Sequence, residues 1–285
     1  MGIFFAFLAL LFWGGGDFLI QKSARKFGNW LTLFYITAFG SIILLPFVYS
    51  RLGEVFSFGK EFWFLLLVSV VILLAALLDF EALRVGKISV VEPVYALEIP
   101  VTILLASLII GEYLSGPQLF LVVVLLVGIF LVSVKSLNKL KRFRLERGVL
   151  LAVVATVGMG LANFLFGFGA RETGPLLVNW FTSLVMALVA LIYLVGRARA
   201  KEIFSGWKRE KLLIVGTGLI DNLAWISFTC STLYIPIAIT TSISESYIAL
   251  ASALGLFFNR EKLKKHQWLG LILAVVAVVV LAIIT

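Results

Sequence analysis

The chain has 285 residues, of which 62% are hydrophobic and 14% charged, with a net charge of +9 and a mean hydropathy of +1.12. Soluble domains usually have about 45–50% apolar and about 25% charged residues, so this composition excludes a soluble protein and predicts an all-α membrane protein. Cys230 and His266 are single occurrences, so we expect no disulfide framework, no Cys/His metal site, no His-based triad and no cofactor.

Apolar runs, separated by charged or Gly/Pro-containing stretches, predict ten membrane-spanning helices. A span needs about 20 residues, and the runs are too long and too uniform for the alternating strands of a barrel. The predicted spans are 3–22, 29–50, 62–84, 88–110, 116–135, 148–170, 174–196, 211–232, 236–258 and 266–284.

The distribution of positive charge predicts how these spans are oriented. With ten spans, the loops after odd-numbered spans hold 21 of the 24 Lys and Arg residues, and only Arg51, Lys60 and Arg171 lie on the other side. The positive-inside rule then places the odd loops in the cytoplasm and both termini outside. We therefore interpret the positive charge as an orientation signal, expect no nucleic-acid partner, and predict a multi-pass protein of the cell membrane without a removable signal peptide.

The two halves of the chain resemble each other. A shift of 146 residues aligns identical residues, among them Arg25 with Arg171 and Gly28 with Gly174, and a shift of 149 residues aligns others, among them Glu112 with Glu261 and Gln118 with Gln267. Each half holds five spans, an odd number, so the second half must enter the membrane upside down. We predict a 5+5 inverted repeat, the architecture of secondary transporters. The predicted repeats are residues 1–137 and 148–285.

Short motifs in both halves resemble those of a known family. Residues 11–14, Leu-Phe-Trp-Gly, resemble the Trp-Gly opening of the EamA domain. Its Gly-Glu-x-Leu-x-x-x-Gln signature is matched by Gly111, Glu112, Leu114 and Gln118, and again by Arg260, Glu261, Leu263 and Gln267. The resemblance covers nearly the whole chain as two tandem domains and implies the drug/metabolite transporter superfamily. Because Arg260 replaces the signature Gly and Met159 replaces Trp13, it implies a mechanism class and no particular cargo.

The predicted spans contain acidic side chains and no deeply placed Lys or Arg. A charged residue at the centre of a membrane helix costs about 2.5–3.5 kcal/mol and usually faces a cavity, a partner or a proton path. Since removal from water disfavours the charged form, a buried carboxyl group can take up and release a proton near neutral pH. We therefore interpret Asp221, Glu98 and Glu245 as candidates for proton coupling.

Individual residues allow both a functional and a structural interpretation. Asp221 lies ten residues beyond Lys211, about 15 Å into its helix, where it could also simply bond to a neighbouring helix. Glu98 lies between Pro93 and Pro100, which tend to kink a helix. Hydroxyl groups in the polar stretch 240–247 can bond to their own helix.

Other candidates follow the same logic. Asp17 follows three glycines, which could have a role in substrate binding or could simply let two helices pack closely. The equivalent of Asp17 in the second half is Asn163. Glu81 is expected to form an ion pair with Arg84 or Lys87, whereas Asp79 could form such a pair or line the site. The predicted lining of a cavity between spans one, three and four and spans six, eight and nine is Trp13, Asp17, Asp79, Tyr95, Glu98, Asn163, Asp221, Asn222, Trp225, Ser244, Glu245 and Tyr247.

These patterns favour a secondary active transporter rather than an enzyme. We predict export of a small cationic or zwitterionic metabolite, such as an amino acid or an amine, by alternating access and with proton coupling. One alternative is an intramembrane enzyme with Asp221 and Glu245 as acid and base, which would not explain the inverted repeat. Another is a channel, which would need a continuous polar stripe. Spans five and ten, nearly devoid of polar residues, are expected to face lipid or a second copy in a homodimer.

Overall fold

The computed structural model describes residues 1–86, 91, 94–133, 147–249 and 264–285. These residues contain ten α-helices of eight or more residues and no strand. The helices are α1 (Gly2–Phe27), α2 (Asn29–Val48), α3 (Lys60–Val85), α4 (Glu98–Ile110), α5 (Gly116–Ser133), α6 (Arg147–Thr173), α7 (Pro175–Gly196), α8 (Ala200–Thr232), α9 (Ile237–Ser244) and α10 (Lys265–Ile283). Two short helical turns, Tyr49–Arg51 and Leu52–Val55, follow α2.

Seven of these helices, α1, α2, α3, α6, α7, α8 and α10, are long and apolar enough to cross a membrane. Helices α4 and α5 are apolar but shorter, and the described part of α9 has eight residues. The protein is therefore an all-helical, multi-pass membrane protein. The number of ten spans stays a prediction.

The fourth and ninth predicted spans are interrupted, although the sequence predicted a continuous helix over 236–258. Turn residues Ala96 and Leu97 precede α4, and Glu245 and Ser246 form a turn directly after α9. Pro100 lies in the first turn of α4, where a missing N–H removes no intrahelical bond. The stretches 87–90, 92–93 and 250–263, with the signature residues 260–263, lie outside the described residues.

Helix α8 begins earlier than the predicted boundary at residue 211. A helical segment from Ala200 precedes a non-helical backbone at Glu210, with φ −136° and ψ 37°. The hydroxyl group of Tyr35 donates to the carbonyl oxygen of Ile203 at 2.7 Å, which holds this segment against α2. The expectation of a loop between the predicted spans 174–196 and 211–232 is therefore wrong from Ala200 onward, where the charged residues lie on a helix outside the apolar span. Arg197 and Arg199 precede this helix.

Helices α2 and α7 occupy equivalent positions in the two halves and run antiparallel. The rings of Trp30 and Tyr193 stack with centroids 4.0 Å apart, and the indole Nε1 of Trp180 donates to the carbonyl oxygen of Ser41 at 3.1 Å. The first contact joins the start of α2 to the end of α7. The second joins later α2 to early α7, so the two helices have opposite directions.

Most of the helix pairings are preserved when the first five helices are exchanged, in order, with the last five. Helix α1 lies along α8 as α6 lies along α3, α9 packs on α1 as α4 packs on α6, and α5 packs on α10. A Cβ at Gly128 would be 2.7 Å from the backbone N of Ala274. This glycine therefore lets α5 and α10 approach backbone to backbone.

Residues that the repeat shift aligns also form the same local structures. Gly28 and Gly174, with φ of +82° and +93°, adopt a conformation that favours glycine, and each donates its N–H to a carbonyl four residues earlier at 2.9 Å. Gln118 accepts from the backbone N of Ser115 at 2.9 Å, as Gln267 does from Lys264 at 3.0 Å. These glutamines satisfy backbone donors at the starts of α5 and α10.

Candidate functional site

Two adjoining cavities lie inside the bundle, and both are lined by helices of each half. They share Trp13, Asp17, Asp79, Met159 and Trp225 in their linings. The space that the centres of water molecules can occupy is about 80 Å³ in cavity A and about 30 Å³ in cavity B. These volumes hold a few water molecules each, and the shared residues separate the two spaces.

Cavity A is lined by α1, α2, α3, α6, α7 and α8. Its acidic groups are Asp17, Asp79 and Asp221, and Asn222 lies beside Asp221. The amide of Asn222 donates to the carbonyl oxygens of Gly218 at 2.7 Å and, across the interface, of Ile36 at 3.1 Å. Asn222 therefore also fixes α8 against α2.

Cavity B contains the side chains near the breaks in the fourth and ninth spans. In addition to the shared residues, Tyr95, Glu98, Asn163, Glu245 and Tyr247 line it. Glu98 is the first residue of α4, and Glu245 follows the last residue of α9. Both interruptions thus place a carboxyl group at the same cavity, as in transporters whose discontinuous helices line the binding site.

Asn163 joins the two glutamates. Its Nδ2 donates to Glu98 Oε2 at 3.1 Å and to Glu245 Oε1 at 3.4 Å. Asn163, Glu98 and Glu245 are only 1%, 5% and 4% exposed. Asn163 therefore supplies a hydrogen bond to each of the two buried carboxyl groups.

Asp17 and Asp79 each lie close to a tyrosine. The hydroxyl group of Tyr247 donates to Asp17 Oδ2 at 2.5 Å. The hydroxyl group of Tyr95 donates to the backbone oxygen of Asp79 at 3.3 Å. Each bond connects the helices of the larger cavity to the chain beside one of the two breaks.

Aromatic rings separate cavity A from cavity B. The rings of Trp13 and Trp225 meet edge to face with centroids 5.2 Å apart. The ring centroid of Phe166 lies 4.5 Å from that of Trp225. The faces of such rings carry partial negative charge and attract cations within about 6 Å. Five carboxyl groups and this aromatic cluster converge on the two cavities, while neither lining contains a Lys, Arg or His among the residues that the structure describes.

Eleven of the twelve predicted substrate-binding residues line cavity A or cavity B, and Ser244 lines neither. Their role in substrate binding stays a prediction. Its hydroxyl group is fully buried and donates to the carbonyl oxygen of Thr241 at 3.2 Å. Ser242 and Ser246 also donate to carbonyl groups of the same segment. The hydroxyl groups of these three serines therefore bond locally, which is the structural alternative for this stretch.

Two further expectations can be compared with the structure. Glu81 accepts two bonds of 2.7 Å from Arg84, so this predicted ion pair is confirmed. Asp221 lines cavity A and Glu245 lines cavity B, so the structure places the two acids of the enzyme alternative in different cavities.

Helices α2 and α7 also contribute to the lining of cavity A, which the sequence did not predict. Their polar lining residues are Thr37, Asn179, Thr182 and Ser183. The sequence indicated these lining residues only as single polar residues within apolar spans. This indication is weak, because hydroxyl and amide groups in membrane helices often bond to carbonyl groups of their own helix. Asn179 and Thr182 indeed donate to their own helix.

An apolar multi-helix bundle with an acidic cavity between two similarly packed halves defines a polytopic membrane protein of the transporter type. The chain belongs to the EamA-like transporter family, whose model matches residues 1–134 and 146–283. The resemblance inferred from the Trp-Gly and Gly-Glu motifs is thereby confirmed, and the family places the protein in the drug/metabolite transporter superfamily.

One relative and one solved structure are similar to this chain. An uncharacterized protein of Methanocaldococcus jannaschii, MJ1333.1, is 25% identical over 136 residues, which are 47% of this chain and 97% of the relative. That relative corresponds in length to about half of this chain. A solved crystal structure shares the fold with a TM-score of 0.72 and 16% identity, over 99% of this chain and 94% of the other.

Proposed function

We propose that this protein is a secondary active transporter that exports a small cationic or zwitterionic organic metabolite, such as an amino acid or an amine, by alternating access. The observation that carries the proposal is the convergence of five carboxyl groups on cavities A and B, whose linings, as far as the chain is described, contain no basic side chain. A cation would be attracted to such a cavity, whereas a free anion would be repelled.

The arrangement of the helices supports alternating access. The antiparallel pairing of α2 with α7 and the exchangeable packing of the two groups of five helices are the features expected of a five-plus-five inverted repeat. In such transporters the two halves rock around a site at their interface. Cavities A and B have this position because both halves contribute to their linings.

We further propose that proton coupling acts through Asp221, Glu98 and Glu245. The Asn163-bridged pair in cavity B can hold a proton when the cargo is absent and release it when a cationic group enters. Cavity A, which is larger, would receive the cargo at Asp221 and the aromatic cluster. This division rests on the two linings and on the 3.1 and 3.4 Å bonds of Asn163.

Purified protein in liposomes tests both parts of the proposal. A panel of radiolabelled amino acids, amines and organic acids is offered with and without a pH gradient. We expect uptake of one or more amino acids or amines, dependence on the gradient, and loss of transport in Asp221→Asn and Glu245→Gln. Glu81→Gln, whose carboxyl group lies outside both cavities, is the matched control. Uptake of organic acids alone would contradict the cargo class, and uptake indifferent to the gradient would contradict coupling.

A homodimer through α5 and α10 is a separate proposal. Neither helix contributes to cavity A or cavity B, and their outer faces expose apolar side chains such as Phe120 and Ile272. Cross-linking between cysteines introduced at these two positions would test it, in a Cys230→Ala background.

A further inference from the structure

Arg171, near the end of α6, ties the end of α8 to the segment that leads into α9. Its Nε donates to the carbonyl oxygen of Thr232 at 2.7 Å, and its Nη2 donates to that of Ile235 at 3.1 Å. The last carbonyl groups of a helix have no intrahelical partner and form its negative end, where a cation is stabilising. Arg171 therefore fixes the corner between α8 and α9, within the second half.

Glu112, the glutamate of the family signature, connects this corner to the first half. Its Oε1 accepts from Arg171 Nη2 at 2.9 Å, and its Oε2 accepts from the backbone N of Ile237, the first residue of α9, at 2.8 Å. Gly111, with φ of +67°, ends α4 and turns the chain so that Glu112 can reach α9. One carboxylate thus holds the end of α4 to both α6 and α9 with two charge-assisted bonds.

The opposite end of the bundle has the related arginine. Arg25, which the 146-residue shift aligns with Arg171, donates to the carbonyl oxygens of Arg84 and Gly86 at the end of α3. Lys26 pairs with Glu210 at that end, whereas a Cβ at Gly2, at the other end of α1, would meet Tyr234. Arg25 and Arg171 therefore lie at opposite ends of the bundle. The contacts of Glu112 that the structure describes are at the end that holds Arg171.

From these contacts we infer that Glu112, with Arg171 and the N–H of Ile237, is a latch that keeps the Arg171 end of the cavities closed and breaks when that end opens. The inference rests on the proposed alternating access. Opening requires α4 of the first half to separate from α6 and α9 of the second, so both bonds of Glu112 must break. The side chains of Arg171 and Glu112 are 30% and 16% exposed, so water can solvate the separated charges and make the latch reversible.

Cysteine accessibility in lipid nanodiscs tests the latch without any cargo. Cys230→Ala removes the single cysteine, and Thr240→Cys then places a thiol at a fully buried position one turn beyond Ile237. The rate of reaction with a water-soluble maleimide reports opening of the Arg171 end. We expect Glu112→Ala to raise this rate about tenfold or more, since loss of both bonds shifts the population toward the open state. Glu112→Gln should raise it less, because the amide oxygen can still accept from Ile237.

Two controls separate opening from unfolding. Leu125→Cys, fully buried in α5, should remain unreactive in every Glu112 variant unless the protein unfolds. Glu202→Ala removes a carboxylate that pairs with Arg199, three residues earlier in the chain, and it should leave the Thr240→Cys rate unchanged. If the Thr240→Cys thiol reacts with the maleimide at the same rate in the Glu112→Ala variant and in the protein that keeps Glu112, the latch is overturned. Since the measurement needs no cargo, this result would be distinct from failure of the transport assay.

Discussion

The hydroxyl group of Tyr247, three residues beyond α9, donates to Asp17 Oδ2 on α1 at 2.5 Å. In the equivalent position of the other half, Asn163 on α6 donates to Glu98 at the start of α4 at 3.1 Å. Each bond joins the first helix of one half to the fourth predicted span of the other half, because α1 pairs with the segment after α9 and α6 pairs with α4. The acid is on α1 in the first pair and on α4 in the second. The two halves share a scaffold and differ in chemistry at their centre.

Removal of the Tyr247 hydroxyl group should loosen this contact. A buried hydrogen bond to a carboxylate contributes about 1.5–3 kcal/mol, so Tyr247→Phe is expected to lower thermal stability in detergent and to reduce transport. Tyr234→Phe, at a position that is 59% exposed, is the matched control and should leave both unchanged. A Tyr247→Phe protein as stable and active as the parent would show that the bond is unimportant.

Asn163 is expected to be sensitive to replacement by an acid. Asn163→Asp puts a third carboxyl group between Glu98 and Glu245, and only its protonated form can donate to them. The stability of this variant, relative to the parent, should therefore fall as the pH rises from about 5 to 8. Asn163→Leu, which cannot donate at any pH, should be less stable than the parent to a similar extent at both values. Thermal unfolding at the two pH values makes the comparison, and parallel curves for parent and Asn163→Asp would contradict it.

Trp225 should contribute to binding through its ring. A cation–π contact contributes about 0.5–2 kcal/mol, so Trp225→Ala should weaken the binding of a cationic ligand by roughly 2- to 30-fold, and Trp225→Phe should weaken it less. Ligand-induced thermal stabilisation in detergent provides the measurement. Trp63→Ala, at a position 60% exposed on the outside of the bundle, should bind as the parent does. Equal losses in the Trp225 and Trp63 variants would argue against a role of Trp225 in the site.

Local sequence patterns predicted the features that depend on the membrane and on the repeat. Apolar runs identified the helices, because a backbone in lipid must satisfy its own hydrogen bonds. The spacing of Pro93 and Pro100 indicated that the helix around Glu98 is perturbed. The alignment of Asp17 with Asn163 predicted that these residues share a position at the centre, and both line cavity B.

Other features depend on contacts between distant segments and left little trace in the sequence. The break at Glu245 contains no proline, so only packing around α9 defines it. Thr37 and Asn179 line cavity A because α2 meets α7 there. From the sequence alone, neither residue can be distinguished from a polar residue that bonds only within its own helix. The charges of 197–211 indicated a loop, whereas contact with Tyr35 holds residues 200–209 as a helix.

Membrane orientation provides the last prediction. Since 21 of 24 Lys and Arg residues fall in the predicted odd-numbered loops, the loop after α2 should be external and the segment before Glu210 cytoplasmic. In a Cys230→Ala background, Ser57→Cys and Ser205→Cys place one exposed thiol on each side. A membrane-impermeant maleimide applied to intact cells should label Ser57→Cys, and Ser205→Cys should react only after lysis. The reverse pattern would invert the proposed topology, and the Glu112 latch would then close the cytoplasmic face.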